Sequence, residues 1–411
     1  MSGSSWDVIV IGAGPAGGMA AWTAARTGLR VLVLEEHPVV GDPAHCAGKL
    51  SVHAFAEFGI PHALARTALR AATVYSPEGQ PVTLRRQTPD SYVVDRDAFD
   101  RWLVQQALAS GAELLLRTRA CAVTRDRNEM VVEAVRGRAS LHFRAPVVVD
   151  AEGARARLAT LVGVHSPRRV LRGLQYEVTG IALEAPDTVE VYLGRQWAPG
   201  FFAWLMPLGE RDARIGVCVD PRLAPRPPAA YLEELLRNHL ALSPRARGLR
   251  VVRRLGGWIP LVLHPRPTYA SGFLVVGDAA GHVKATSGGG IYYSLVAGQL
   301  AAQAAAQYLS GAHQALRSYE QAWRARFGRE VAFTAWIRRA LDRIPDEDLS
   351  RFLTGIAQAG ELQRVIGEYG DTQYQSRLFR PFLAAALRVG LRHRALARAV
   401  ARTLLALFAT W

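Results

Sequence analysis

Lysine is almost missing from this chain. Of its 50 basic residues only Lys49 and Lys284 are lysine, and all the others are arginine. Cysteine is as scarce: Cys46, Cys121 and Cys218 are odd in number and far apart. That excludes a disulfide framework and a cysteine-built zinc site, and it points to a reducing compartment. No apolar run approaches the roughly 18 uninterrupted residues of a membrane-spanning helix. Residues 1–5 carry neither a basic region nor an apolar signal core, so a cytoplasmic chain is expected. His45, His53 and His282 lack metal-like spacing with carboxylates, and no metal is expected. Acids are in deficit, and the net charge is +15. The arginines are dispersed and no recognition motif accompanies them. This argues against nucleic acid and for an acidic protein partner or an anionic lipid surface.

What is present is a large apolar fraction and two glycine-rich segments. Half of the 411 residues are hydrophobic, enough for one large α/β unit with inserts. An apolar strand over Trp6 to Ile11 runs into Gly12-Ala13-Gly14-Pro15-Ala16-Gly17. An alanine-rich helix follows, Gly28 ends it, and Arg30 to Glu35 makes a second strand. In such a strand–helix–strand unit Gly12 makes the tight turn and Gly14 lets a pyrophosphate approach the backbone. Gly17 lets helix and strand pack closely. Glu35 is placed to accept from the ribose hydroxyls of an adenosine, with Glu36 a solvated neighbour.

The second segment runs from Gly277 to Ile291, after the apolar run Phe273 to Val276 and before a helical pattern over Ile291 to Leu309. Asp278 can accept from ribityl or ribose hydroxyls. The backbone N–H groups of Gly288, Gly289, Gly290 and Ile291 open the helix, and their partial positive charge favours electron-rich reduced flavin. Two such elements far apart in sequence argue for FAD rather than NAD. With no second G-x-G-x-x-G, no nicotinamide domain is evident. Both lysines fall in segments assigned to the flavin site, and a functional reading of the pair competes with a bland one.

The remaining pattern predicts an α/β fold: a Rossmann-like FAD-binding domain (residues 1–70, 90–166 and 259–315), an inserted mostly β substrate section (71–89 and 167–258) and a C-terminal helical region (316–411). Thr73 to Leu84 reads as a hairpin around Pro77-Glu78-Gly79, and residues 112–144 as three alternating strands.

Three local motifs carry a resemblance. Cys46-Ala47-Gly48-Lys49-Leu50-Ser51 is similar to a Cys-Ala/Thr-Gly-x-x-Ser loop beside the flavin, and Phe202-Ala203-Trp204-Leu205-Met206-Pro207 to a Tyr-x-Trp-x-Phe-Pro motif. Arg214-Ile215-Gly216 stands where that family has Asn-Val-Gly, and Gly288-Gly289-Gly290-Ile291 is the third motif. Together with the element order, over residues 6 to about 385, the chain resembles the geranylgeranyl reductase family within the p-hydroxybenzoate hydroxylase superfamily. It also departs from the family pattern elsewhere. Phe202 replaces Tyr and Met206 replaces Phe, so an aromatic hydroxyl is lost. Lys284-Ala285-Thr286 stands where Asn-Pro is frequent. Ala151-Glu152-Gly153-Ala154-Arg155-Ala156 replaces the Ala-Asp-Gly-x-x-Ser with which hydroxylases engage NADPH and FAD.

The resemblance implies reduction of isoprenoid carbon–carbon double bonds on a prenyl lipid, quinone or prenyl diphosphate. An unactivated alkene accepts hydride only as it is protonated. Cys46 is the implied proton donor or flavin contact, or else a buried structural thiol. Ala47 and Arg96 are implied cofactor contacts, an ordinary helix-surface arginine being the alternative for Arg96. Trp197, Phe202, Trp204 and Met206 are implied cavity lining, unless they are simply core. Lys284 would hold flavin or a head group, and Tyr292 and Tyr293 are weaker acid candidates. Competing readings are a flavin monooxygenase of a hydrophobic substrate and a non-catalytic or electron-relay flavoprotein.

Residues 377–411 contain seven arginines and no acid. Val389, Leu396, Val400, Leu404, Leu407 and Trp411 share one helical face, and Arg388, Arg392, Arg394, Arg398 and Arg402 the other. This predicts an in-plane helix on anionic lipid, peripheral to the membrane. The electron donor is expected to be ferredoxin or NAD(P)H, with the basic surface favouring the acidic protein.

Overall fold

The computed structural model describes residues 6–164, 169–263 and 266–392. The chain divides into two compact units, each assembled from three separated segments. The first comprises residues 1–44, 96–169 and 260–332.

Its centre is a six-stranded sheet in the order Tyr269–Ala270, Phe273–Val275, Val147–Asp150, Val8–Ile11, Val31–Leu34, Glu113–Leu115. All pairings but the first are parallel. The sequences VIVI, VLVL and VVVD are buried at every position, as strands covered on both faces require. Helices Pro15–Ala25 and Ile291–Leu309 pack so closely that a Cβ on Gly298 would stand 2.3 Å from the Ala16 carbonyl oxygen. Three antiparallel strands, Arg119–Asp126, Glu129–Arg136 and Ala139–Ala145, form a separate sheet. A fourth strand in this stretch, Glu113–Leu115, pairs instead with Val31–Leu34.

The second unit comprises, among the described residues, 45–95, 170–259 and 333–392. Its seven-stranded sheet runs Arg250–Leu261, Arg169–Thr179, Asp212–Val219, Phe202–Pro207, Thr188–Tyr192, Ala71–Tyr75, Pro81–Arg85. The last two strands are the expected hairpin. Helix Pro228–Asn238 lays Tyr231, Leu232 and Leu235 on one face, against Tyr176, Ala203, Leu205, Ile215 and Val217.

Two boundaries differ from the sequence expectation. Residues 45–70 and 90–95 belong with the β section, because strands Lys49–Ser51 and Ala65–Leu69 both pair with Ser91–Val94. Helices Asp346–Gln358, Gly360–Tyr369 and Ser376–Arg392 are also part of this unit, packing Leu353, Ile356, Leu362, Ala385 and Ala386 with Val82. Val389, expected on a lipid-facing stripe, is in that core, and Arg388 is paired with Glu361 at 2.8 Å. The rest of the stripe, from residue 393 onward, lies outside the described residues. Among the described residues no helix is long and apolar enough to cross a membrane.

Candidate functional site

The three glycines of the first loop divide their work as the sequence requires. Gly12 has φ +97°, and a Cβ there would stand 2.4 Å from the Ala151 carbonyl oxygen. A Cβ on Gly17 would stand 1.8 Å from the Gly12 oxygen. Gly14 is different: nothing lies within 4 Å of its Cβ position. It faces open space at the N-terminus of helix Pro15–Ala25, which no side chain caps. Pro15 occupies the first turn, where no donor is lost, and Ala16 follows. Glu35 ends the second strand, and its Oε2 accepts from the Ala13 N–H at 2.8 Å. Its Oε1 accepts from the His37 N–H at 2.8 Å and meets His37 Nδ1 at 2.6 Å. His37 was not singled out from the sequence. Oε2, with one donor, retains a second lone pair for a ribose hydroxyl, whereas both His37 groups already occupy Oε1. Glu36 pairs with Arg155 at 3.3 Å.

The second glycine loop lies in the same unit. Strand Phe273–Val275 ends, the turn Gly277–Ala280 carries Asp278, and helix Ile291–Leu309 begins after Gly290 with no side-chain cap. Asp278 Oδ1 lies 3.2 Å from where a Cβ on Gly290 would be, so the acid and the helix start are brought together. Lys284 is 3 % exposed. Its chain lies along Gly289, and its ammonium stands 5.8 Å from the Tyr293 ring centre. The Tyr292 hydroxyl accepts from Arg326 at 3.1 Å. His282 is buried between Trp323 and Phe327, and burial, with Arg324 adding, pushes its imidazole down to about 3. Arg96 does not ride on an open helix surface: it makes a two-point pair with Asp100, at 3.0 and 2.7 Å, in a buried setting. Burial raises the Asp100 carboxyl against the pull of Arg96.

Two uncapped helix starts, the space in front of Gly14 and the placed acids Glu35 and Asp278 fit the two halves of a dinucleotide such as FAD.

The thiol loop and the aromatic motif belong to the second unit, and the strand register explains how they meet. Phe202, Trp204 and Met206 alternate onto one face, opposite Cys218, Gly216 and Arg214 on the next strand. Gly173, Gln175 and Glu177 continue these rows on a third strand. The Trp204 indole lies over Gly216, where a Cβ would stand 2.2 Å from it, and its Nε1 donates to Gln175 at 3.2 Å. The Cys46 loop is fastened to this same face at both ends. His45 lies on Gly257, 3.1 Å from its Cβ position, and bonds the Gly256 carbonyl. The Ala47 carbonyl accepts from Arg214 at 3.0 Å, and Ala47 packs with Met206 and Trp204. Between them the Cys46 sulfur accepts from the Gly48 N–H at 3.4 Å. Lys49 turns to Thr372 at 2.9 Å and Asp90 at 3.7 Å. Burial draws its ammonium below the ordinary lysine range while Asp90 opposes the change.

Trp197 is a correction. It packs with Ala203 and Leu205 on the opposite sheet face, under the helix, and not with Phe202, Trp204 and Met206. Its ring neighbour is His239, itself enclosed by Tyr75 and Tyr192 and pushed down to about 4 by burial. Cys218, by contrast, joins the Trp204 face, and burial pushes its thiol up. The Trp197 placement is not readable from one sequence, since a turn residue just outside a strand has no alternation to fix its side.

A consequence for packing can be measured. Gly216→Ala is expected to cost about 1–3 kcal/mol by displacing the indole. Most of that cost is expected to vanish in a Trp204→Leu background. Equal denaturation midpoints for the wild type and Gly216→Ala would show that the indole does not need this glycine.

Comparison with known proteins agrees with this layout. A model of FAD-dependent oxidoreductases matches residues 7–167, and one of the geranylgeranyl reductase catalytic domain matches 170–257. A digeranylgeranylglycerophospholipid reductase of Methanopyrus kandleri is 31% identical over 373 residues, covering 88% of this chain and 93% of the relative. One from Methanocaldococcus jannaschii is 29% identical over 364 residues, covering 86% and 91%. The crystal structure of a geranylgeranyl bacteriochlorophyll reductase-like protein from Thermoplasma acidophilum superposes with TM-score 0.83 at 24% identity, over 95% of this chain and 99% of the other. That structure shares the fold. FAD is accordingly the cofactor of this chain. It belongs to the geranylgeranyl reductase family of FAD-dependent oxidoreductases.

Proposed function

We propose that this enzyme saturates double bonds in a geranylgeranyl chain carried by a lipid, and that the Cys46 loop supplies the proton. The observation that carries this reading is the fastening of that loop onto the Trp204 face, between Gly257 and Arg214. It sets a partly exposed thiol next to Ala47, which packs with Trp204 and Met206; Met206 is core, while Phe202 and Trp204 offer that face a partly exposed apolar surface suited to a prenyl chain. FAD, held by the residues named below and reduced, would supply the hydride that one alkene carbon takes. The Cys46 thiol donates its proton to the other carbon, and water restores it. A neutral thiol tolerates the apolar setting that an isolated alkene requires. Glu35 and the Gly14 turn would hold the adenosine and pyrophosphate, and Asp278 with Gly290 and Ile291 the ribityl and ring end; the Gly288 and Gly289 N–H groups, expected to join them, are taken by the Lys284 carbonyl and the Ser287 hydroxyl.

The names of the archaeal relatives support a glycerophospholipid as the carrier. The net charge of +15 supports an acidic electron donor of the ferredoxin type and association with anionic membrane surfaces. The test is anaerobic incubation of the FAD-loaded protein with dithionite and geranylgeranyl compounds, free and lipid-linked, followed by mass measurement. Gain of hydrogen pairs, greatest on the lipid-linked chain, is the expected result. A panel left unchanged by protein whose FAD is fully reduced would overturn the reading.

A further inference from the structure

Arg214 sits where the resemblance places a short neutral side chain, and beyond its bond to the Ala47 carbonyl no role has yet been given to it. Its side chain is 3 % exposed. The guanidinium reaches four acceptors on three stretches of chain. Nε donates to Glu177 on the neighbouring strand at 2.9 Å. One terminal nitrogen donates to the Ala47 carbonyl at 3.0 Å and to the Val94 carbonyl at 2.9 Å. The other donates to Asp95 at 3.2 Å. A planar fork with fixed donor directions can do this, whereas a lysine ammonium or an amide cannot reach all four.

The loop is cut to receive it. Gly48 has φ +81°, and a Cβ there would stand 2.4 Å from the Val94 oxygen and 2.8 Å from the Arg214 nitrogen. Val94 in turn donates to the Gly48 carbonyl at 2.8 Å. Ala47 and Gly48, the two residues after Cys46, are therefore locked to one buried cation. The other end of the loop, His45, rests on the glycine pair Gly256 and Gly257. A thiol between two such anchors has little freedom to leave the Trp204 face.

We propose that Arg214 is the positioning residue of the Cys46 turn, holding the thiol at a fixed place over the substrate face. The inference rests on the assignment of Cys46 as proton donor, but the tether itself can be measured without turnover.

The experiment uses the FAD-loaded full chain carrying Cys121→Ser, since Cys121 is exposed while Cys218 is buried. Alkylation of Cys46 by N-ethylmaleimide is followed in this background with and without Arg214→Asn. Release of the turn is expected to speed alkylation about tenfold, as local opening becomes cheaper. In the same variant kcat for a geranylgeranyl lipid is expected to fall about 10- to 100-fold with KM within about threefold, because the donor is misplaced while the chain-binding face is kept. Arg214→Lys keeps the charge and part of the bonding, and both readouts should fall between the other two. It carries the same test if the asparagine variant fails to hold FAD. Alkylation at the wild-type rate in an FAD-loaded variant overturns the proposal, whatever its activity. Faster alkylation together with a wild type that reduces no prenyl chain supports the tether and overturns the reductase reading.

Discussion

Gly14→Val is expected to give a folded protein that no longer holds FAD. Gly14 has φ −76° and ψ −171°, which valine adopts without strain, and no atom stands within 4 Å of its Cβ position. The free chain therefore has room for the new side chain. The same space is where a pyrophosphate must come against the helix N-terminus, so an isopropyl group there excludes the ligand rather than disturbing the fold. Loss of FAD affinity by about 100-fold or more, near 2.8 kcal/mol, is the expected size. Flavin absorbance after gel filtration, with circular dichroism and the melting temperature of the apo form, measures it. Gly17→Ala is the contrasting case: its Cβ would stand 1.8 Å from the Gly12 oxygen, so the fold itself should fail. A yellow, stoichiometrically loaded Gly14→Val protein would show that the pyrophosphate does not lie there.

The second large effect is expected at Cys46. Cys46→Ala should lower kcat for a geranylgeranyl lipid by about 10²- to 10⁴-fold, the usual contribution of a positioned acid. FAD content and the rate of its reduction by dithionite should not change, because the cofactor-holding residues proposed in the first unit are untouched. Cys46→Ser keeps the shape and hydrogen-bonding pattern, but its hydroxyl is a far weaker acid, and it should recover little of the loss. If Cys46→Ala turned over within about fivefold of the wild type, general-acid action by the thiol would be excluded. Tyr292, whose hydroxyl Arg326 already engages, would be the next residue to replace.

The parts of this molecule that were legible in advance are those whose chemistry is local. The Gly12 to Gly17 turn, the helix over Ile291 to Leu309 and the hairpin around Pro77-Glu78-Gly79 follow from positive φ, helix starts and alternation within a few residues. What could not be read depends on partners distant in sequence. Nothing near residue 50 says that Lys49–Ser51 will pair with Ser91–Val94 and so leave the nucleotide unit. Trp197 precedes its strand in a turn, and its side of the sheet is set by the helix at Pro228–Asn238. Arg214 looks like one dispersed arginine among many until the Ala47 and Val94 carbonyls are seen to converge on it. Gly216 and Gly257 each mark a place where something rests on the sheet, which only the partner's arrival reveals.

The order of strands in the nucleotide unit also sets a timetable for biosynthesis. Val147–Asp150 can be covered on its outer side only by Phe273–Val275, whose residues are made after almost the whole second β section. Until then an apolar parallel strand waits at an open edge, the kind of surface that recruits other chains. At roughly 5–20 residues per second the wait is on the order of ten seconds. Closure through such distant pairings is itself slow. Slowing translation, a common remedy for poor yields, would therefore prolong the vulnerable interval in this fold, and a holding chaperone acting between the two strands addresses the cause more directly.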